Sequence, residues 1–336
     1  MLKRFSLLLM ILASSTVFSI ECYKSCDPEG DRDFFYQGCR IVGDAEFLYW
    51  KASVNAVDYT LKLTEEIDTN CAVGDFKSAK FDYKPGVRAG LRYHNGPRFW
   101  EASVHYTWLY TNGSDNVEDN IYYLTPTFAD DLNGDPIVKA ESDIKLWYNL
   151  LDVMAARVFD PNPHLRMRAL SGLTGAWITQ KWKVDYTQID NSQSLLKHKW
   201  LYRAIGYRTG ASFDWYWWCD FYMTGKATLA LTVGKYINTA KEFSDIRENP
   251  TQAYRDTRYE DYRLATHFQM FLGPSYQKLW SCYDFEFFMG YEFNAWSNLH
   301  EVFRCQNVSN GNYSRTLINN GLLGLHGLSM RLTVAY

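Results

Sequence analysis

Residues 81–93 read FDYKPGVRAGLRY, and their side chains divide into two faces with a period of two. One face is mostly apolar and the other carries the charges: Phe81, Tyr83, Val87, Ala89, Leu91 and Tyr93 oppose Asp82, Lys84, Arg88 and Arg92. Alternation of this kind is the pattern of a β-strand with one polar face. It continues for thirteen residues, about twice the common strand length in soluble sheets. The segment therefore predicts an unusually long strand.

Three further segments, 100–110, 261–272 and 283–293, show the same division. Aromatic side chains recur near the ends of their apolar faces, as Trp100 and Tyr110 illustrate. Membrane barrels carry aromatic girdles at these positions, at the boundary between lipid and water. The last segment of the chain also alternates and stops on Tyr336. The pattern predicts an all-β fold, a transmembrane antiparallel β-barrel of the outer membrane.

The composition agrees with a folded chain. Of 336 residues, 47% are hydrophobic, 17% are aromatic and 22% are charged, which excludes a disordered or coiled-coil protein. The formal net charge of −3 argues against a nucleic-acid partner, since such proteins need a basic excess to displace counterions from phosphates.

The amino terminus has the features of a signal peptide over residues 1–19. Lys3 and Arg4 precede an apolar stretch, and Val17 and Ser19 supply small residues for cleavage after Ser19. Cys22 would suit a lipid anchor, but Glu21 before it is a poor lipobox residue. We therefore expect a periplasmic amino-terminal segment over residues 20–40 and a barrel over 41–336.

The spacing of turn residues predicts about ten strands, with long exterior loops and short periplasmic turns. The strands are expected at 41–53, 79–93, 99–110, 143–159, 165–180, 199–214, 220–236, 258–272, 282–293 and 321–336. The long connections are 54–78, 111–142, 181–198, 237–257 and 294–320, and they alternate with short turns. This alternation is typical of outer-membrane barrels. Residues 59–63 alternate as well, so twelve strands remain an alternative.

Four segments, in this order, carry a family resemblance: AEFLYWKA at 45–52, PGVRAGL at 85–91, GLTGAWITQ at 172–180 and HGL at 326–328. The chain resembles the Legionella-type pore-forming major outer-membrane protein family, which is also expanded in chlamydia-like bacteria. His326 and Tyr336 depart from the Gln and Phe expected at these positions. The resemblance implies a porin-like barrel in the outer membrane of a Gram-negative-type bacterium, with its loops at the cell surface. It implies no catalytic residues.

The polar strand faces predict a charged lumen. The residues expected to line it are Asp44, Glu46, Asp82, Lys84, Arg88, Arg92, Glu101, His105, Arg208, Lys226, Asp261, Arg263, Asp284, Glu286, Glu292 and Arg331, and the alternation would add Arg157. The acidic residues concentrate on the first and ninth strands, and the basic residues are strongest on the second. Charged walls of this kind orient hydrated solutes, which favours passive diffusion of small hydrophilic solutes or ions.

A closed structural or adhesive barrel, acting through its exterior loops, is the alternative. Ten strands fall short of the 16 to 18 that leave an open channel in large porins, and opposite charges could close the lumen as salt bridges. An enzyme is not expected, because the seven histidines are scattered and no serine lies in a Gly-x-Ser-x-Gly motif. No cofactor or metal is expected. The expected partners are outer-membrane lipid, small hydrophilic solutes or ions, and further copies of the chain or disulfide-linked envelope proteins.

The seven cysteines all lie beyond the signal peptide, where an oxidising compartment permits disulfides. Cys71 and Cys305 fall in the first and last long loops, which barrel closure makes neighbours. Cys219 and Cys282 fall at short turns on one rim, so they form a second candidate pair. Cys22, Cys26 and Cys39 then contain an odd thiol, which predicts covalent contacts between molecules.

Overall fold

The computed structural model describes residues 39–63, 74–95, 98–119, 124–127, 137–162, 164–217, 220–243, 255–280, 283–299, 301–307, 313–318 and 322–335. Within these ranges no helix is long and apolar enough to cross a membrane. The predicted signal peptide and most of the predicted periplasmic segment lie outside the described residues. Cys22, Cys26, Cys71, Cys219 and Cys282 also lie outside them, so both disulfides and the intermolecular thiols stay predictions.

Sixteen strands occur in the described residues. They are β1 (Cys39–Val54), β2 (Asp58–Leu63), β3 (Gly74–Ser78), β4 (Lys80–Phe81), β5 (Tyr83–Asn95), β6 (Trp100–Glu118), β7 (Leu124–Pro126), β8 (Ile137–Asn162), β9 (Leu165–Gln188), β10 (Gln193–Tyr216), β11 (Phe221–Phe243), β12 (Arg255–Trp280), β13 (Tyr283–Ser297), β14 (Val302–Asn307), β15 (Tyr313–Ile318) and β16 (Leu323–Ala335).

Ten of these strands form a closed antiparallel ring. The order is β1, β5, β6, β8, β9, β10, β11, β12, β13 and β16, and the ring closes where β16 pairs with β1. Closure leaves no strand edge unpaired, which a bilayer requires because it offers no water to the backbone. The predicted barrel of about ten strands is confirmed. Residues 59–63 do form a strand, but β2 pairs with β3 and β7 outside the ring, so the twelve-strand alternative is wrong.

The strands β8 to β12 are much longer than a bilayer needs. They have 23 to 26 residues, whereas a membrane strand needs about 9 to 11. Their ends at the short turns are level, so the excess projects at the opposite end, which we call the long-loop end. The barrel wall therefore continues well beyond the membrane on that side.

The predicted long loop at 181–198 is wrong. β9 and β10 stay paired as far as Thr187 and Gln193, and a tight turn over 189–192 joins them. The inward side chains explain the extension, because Trp182, Val184 and Tyr186 are buried and continue the alternation. Lys181 and Lys183, which alternate with these residues, point outward, and they resemble loop residues only when they are read without their neighbours.

The outward face of the ring is an apolar belt with aromatic edges. At its middle, Leu229, Leu231 and Val233 are 47–53% exposed, as lipid-facing side chains of a membrane barrel are. Trp215 marks the edge near the short turns, and Trp177 marks the edge near the long-loop end. The aromatic girdles predicted from the sequence lie at these two edges.

The interior of the ring has two layers. Towards the long-loop end it is filled by large side chains that are almost fully buried, among them Trp50, Trp182, Trp200, Trp296 and Tyr148. The indoles of Trp182 and Trp200 stack with centroids 6.1 Å apart. Towards the short turns the inward side chains are mainly charged or polar. This second layer contains most of the residues that the sequence predicted for the lumen.

Candidate functional site in the barrel interior

Arg88 on β5 is the centre of the charged layer. Its Nη1 lies 2.5 Å from Oε2 of Glu46 on β1, and its Nη2 lies 2.8 Å from Oε1 of Glu292 on β13. Its Nε donates to Oγ1 of Thr107 at 2.9 Å, and the guanidinium lies 5.4 Å from the Trp50 ring. β5 and β13 are three steps apart around the ring. Arg88 therefore bridges the adjacent strand β1, where Glu46 is its register partner, and the more distant strand β13.

Arg208 on β10 forms the other half of the same network. Its Nη1 donates to Oε1 of Gln269 at 2.7 Å, and its Nε lies 3.1 Å from Oδ1 of Asp152 on β8. Nε2 of Gln269 in turn donates to Oε1 of Glu292 at 2.6 Å. Contacts therefore run without interruption from β8 to β1 through Arg88. We call the chain formed by Asp152, Arg208, Gln269, Glu292, Arg88 and Glu46 the transverse network.

His267 connects the transverse network to the aromatic layer. Its Nδ1 is 2.6 Å from Nη2 of Arg208, and its Nε2 is 3.2 Å from Oδ1 of Asn294. The imidazole stacks on Trp296 with centroids 4.1 Å apart and planes at 6°. Trp296 donates through Nε1 to the hydroxyl of Tyr148 at 3.3 Å. The polar and aromatic layers thus pack directly against each other.

A second cluster lies closer to the short turns. Nη1 of Arg168 on β9 is 2.5 Å from Oδ2 of Asp214, and its Nε is 3.2 Å from Oε2 of Glu101 on β6. Elsewhere in this layer, Arg331 pairs with Glu286 at 3.0 Å. Asp44 and His105 are joined at 3.3 Å. These contacts link neighbouring or next-neighbouring strands, so they line the wall below the transverse network.

Three inward cations have no ion pair with a carboxylate in the described residues: Lys84, Arg92 and Lys226. The ammonium of Lys226 lies 5.9 Å from the Phe271 ring. These three side chains add positive charge to the layer that no carboxylate in the described residues neutralises, whereas most other charges of the layer form ion pairs.

The remaining predicted residues lie at the two ends of the interior or outside it. Arg263 pairs with Asp261 at 3.1 Å and with Glu301 at 2.6 Å, near the long-loop end. Asp284 lies 3.8 Å from Arg40 at the rim of the short turns. Asp82 is exposed, because β4 ends at Phe81 and β5 begins at Tyr83.

The inward position expected for Arg157 is wrong. It shares the outward face of β8 with Val153 and Ala155, and its guanidinium lies 5.4 Å from the Trp100 ring. The residues of β8 that point inward are the even-numbered ones, including Asp152. The apolar residues around Arg157 occupy both faces, so their sequence does not show which face is inward.

Sequence reasoning missed Asp152, Arg168 and Asp214. Arg168 was detectable, since Arg166 and Arg168 alternate with Met167 and Ala169. Asp152 was not, because it is a single acid within a nearly continuous apolar stretch. In the part of the chain that the structure describes, no group of three or more His, Cys, Asp and Glu side chains is arranged to hold a metal ion.

Solved structures similar to this chain are outer-membrane proteins of low sequence identity. The outer membrane protease OmpT from Escherichia coli is 10% identical, with 88% of this chain and 96% of that chain covered and a TM-score of 0.42. A FadL homologue from Pseudomonas aeruginosa is 8% identical, with 89% and 90% covered and a TM-score of 0.25. The toluene transporter TodX of P. putida is 6% identical, with 90% of each chain covered and a TM-score of 0.27.

No curated protein matches the sequence. A family profile does, over residues 43–334, and that span reaches from β1 to β16, the first and last strands of the ring. The profile is that of the Legionella pneumophila major outer membrane protein precursor, so the resemblance predicted from four short segments is confirmed. This chain belongs to that family of outer-membrane proteins and is an outer-membrane β-barrel.

Proposed function

We propose that this protein is a closed structural barrel of the outer membrane, in which the interior is blocked to free diffusion and the wall beyond the membrane is the functional surface. The transverse network carries the proposal. It joins inward side chains of β8, β10, β12, β13, β5 and β1 through contacts of 2.5–3.1 Å, and each of its six members is at most 8% exposed. A hydrated ion would have to break these contacts to pass.

The aromatic layer is a second obstacle on the same path. Trp50 and Trp296 are buried immediately beside the network, in contact with Arg88 and His267. Both indoles are 0% exposed, so solvent does not reach them in this arrangement. An opening would therefore need the charged layer and the aromatic layer to rearrange together.

The proposal is tested by conductance of the folded protein in planar bilayers. We expect no steady conductance from the natural sequence. The double variant Arg88→Ala, Trp296→Ala removes one side chain from each layer and should show openings. The matched control, Leu229→Ala, alters the outward belt and should stay silent. A steady open-pore conductance of the natural sequence would refute the closed barrel.

A porin-like channel for small hydrophilic solutes or ions is the second candidate, and one observation favours it. Lys84, Arg92 and Lys226 make no ion pair in the described chain although they point inward. In an open pore they would favour anions, by the principle that rings of charge set selectivity. If conductance is found, replacing Arg92 and Lys226 by Gln should shift the reversal potential towards cations. An unchanged reversal potential would remove this candidate.

The proposal assigns no catalytic role to the chain. Three inward histidines of the charged layer are engaged: His94 with Glu101, His105 with Asp44, and His267 with Asn294 and Trp296. Among the residues that the structure describes, none of the three is hydrogen-bonded to a serine or threonine hydroxyl that it could activate. The start of β1 and the end of β16 both lie at the rim of the short turns. We propose that this rim faces the periplasm and that the long-loop end faces the cell exterior.

A further inference from the structure

We propose that the outward wall of β8, β9 and β10 binds the phosphate groups of anionic lipid in the leaflet at the long-loop end. The site is a row of three exposed lysines, Lys145, Lys181 and Lys199, which we call the lysine row. Lys145 is the direct register partner of Lys181, and Lys181 is the direct partner of Lys199. The three ammonium groups therefore project side by side from adjacent strands.

This arrangement is unfavourable without a counter-anion. Directly opposed side chains in an antiparallel pair have Cβ atoms about 4.5–5.5 Å apart, and like charges in that position are destabilising. None of the three lysines makes an ion pair with a carboxylate in the described chain. The only ring contact among them is that of Lys181, which lies 5.0 Å from the Trp147 ring.

Other outward lysines, on β9 and on the neighbouring strand β11, do have carboxylate partners. Lys183 pairs with Asp185 at 2.7 Å, Lys235 with Glu260 at 2.9 Å, and Lys241 with Asp256 at 2.7 Å. Lys197 also has no carboxylate partner in the described residues, but it contacts the Phe243 ring at 5.1 Å and its register partner is Lys183, whose charge Asp185 balances. The row differs because none of its three neighbouring lysines is balanced. This difference is also not a consequence of a generally basic protein, because the whole chain has a formal net charge of −3.

The height of the row matches the headgroup region. Lys145 is two residues from Trp147, which corresponds to about 7 Å along a strand. Trp147 and Trp177 belong to the outward aromatic edge of the apolar belt, where indoles meet the lipid headgroups. Arg203, which is exposed, stands directly opposite Trp177 at the level of that edge. The row thus lies just beyond the acyl region, where lipid phosphates are found.

An occupant of this site must touch both the cations and the belt below them. A phosphorylated lipid does so, because its phosphates reach the lysine row while its acyl chains cover Leu173 and Ile205, which are 54% and 65% exposed. A soluble phosphate would gain only the charge contacts. The extra apolar contacts therefore distinguish a phosphorylated lipid from soluble phosphate as the bound anion.

The test uses the full chain folded in detergent and measures bound lipid by native mass spectrometry. The probes are diphosphoryl lipid A, the same lipid after removal of its phosphates, and inorganic phosphate. The row variant is Lys145→Gln, Lys181→Gln, Lys199→Gln. The matched control is Lys183→Gln, Lys235→Gln, Lys241→Gln, which removes the same charge from the outward faces of β9 and β11.

We expect the row variant to lose about a hundredfold in affinity for the diphosphoryl lipid and the control to lose less than about threefold. The dephosphorylated lipid should bind equally to both variants and to the natural sequence. Equal losses in the row and control variants would overturn the proposal, since binding would then follow overall charge. If millimolar inorganic phosphate displaced the bound lipid as strongly as added lipid does, the site would be one for soluble phosphate and the lipid would be the wrong occupant.

Discussion

Replacing Arg88 by Met should destabilise the barrel more than any other single inward substitution of a charge. The change removes the cation between Glu46 and Glu292, whose side chains are only 2% and 0% exposed. Glu292 keeps hydrogen bonds from Gln269, Asn294 and Ser329. In the described residues Glu46 accepts a hydrogen bond from Arg88 alone, and without Arg88 it keeps only the electrostatic attraction of Arg331, its register partner on β16.

The expected loss follows from this asymmetry. Removing one partner of a buried ion pair costs about 3–5 kcal/mol, mostly because a charge is left buried without a partner. The triple variant Arg88→Met, Glu46→Gln, Glu292→Gln has neutral groups at all three positions. It should recover most of the loss, since replacing a whole buried ion cluster by neutral groups is often close to neutral in stability.

Urea unfolding of the protein in lipid vesicles, followed by fluorescence of its 12 tryptophans, measures this effect. Arg203→Met is the control, because it removes an exposed arginine that has no ion pair in the described chain. It should change the free energy of unfolding by less than about 0.5 kcal/mol. The reasoning is refuted if Arg88→Met costs less than about 1 kcal/mol, or if the triple variant is no more stable than the single variant.

Three further predictions concern other parts of the molecule. Leu229→Arg, at the middle of the outward belt, should cost about 2–4 kcal/mol of unfolding free energy in a bilayer and much less in detergent; equal costs would place this residue outside the lipid region. Asn191 has a φ of 67° in the turn that joins β9 and β10, so Asn191→Val should lower stability by about 1–2 kcal/mol and Asn191→Gly should not, as thermal unfolding would report. Burial and the Asp115 carboxylate raise the pKa of Tyr59 well above its usual range; absorbance titrations of the natural sequence and Tyr59→Phe should therefore coincide through about pH 10, and a difference there would contradict the buried contact.

The arrangement of strands could be predicted from the sequence because it depends on a local signal. A period of two in residues 81–93 already determines which side chains share a face, and the structure has Arg88 inward and Val87 outward, as that pattern requires. The same signal was present in residues 182–186, but the lysines at 181 and 183 were interpreted as loop residues. Charge alone does not distinguish a loop from an outward strand face beyond the membrane.

The pairing of the inward charges could not be predicted in the same way. Arg88 and Glu292 are separated by 204 positions, and they meet because ring closure brings β13 within reach of β5 across two intervening strands. The concentration of acids on the first and ninth strands and of bases on the second was visible in the sequence. That these walls neutralise each other, rather than face each other across water, depends on the width of the ring and on its register. By itself the sequence determined the faces of most ring strands and indicated a ring of about ten, because both follow from neighbours along the chain. Only the tertiary structure decided which inward charges meet, because distances across a barrel depend on every strand that closes it.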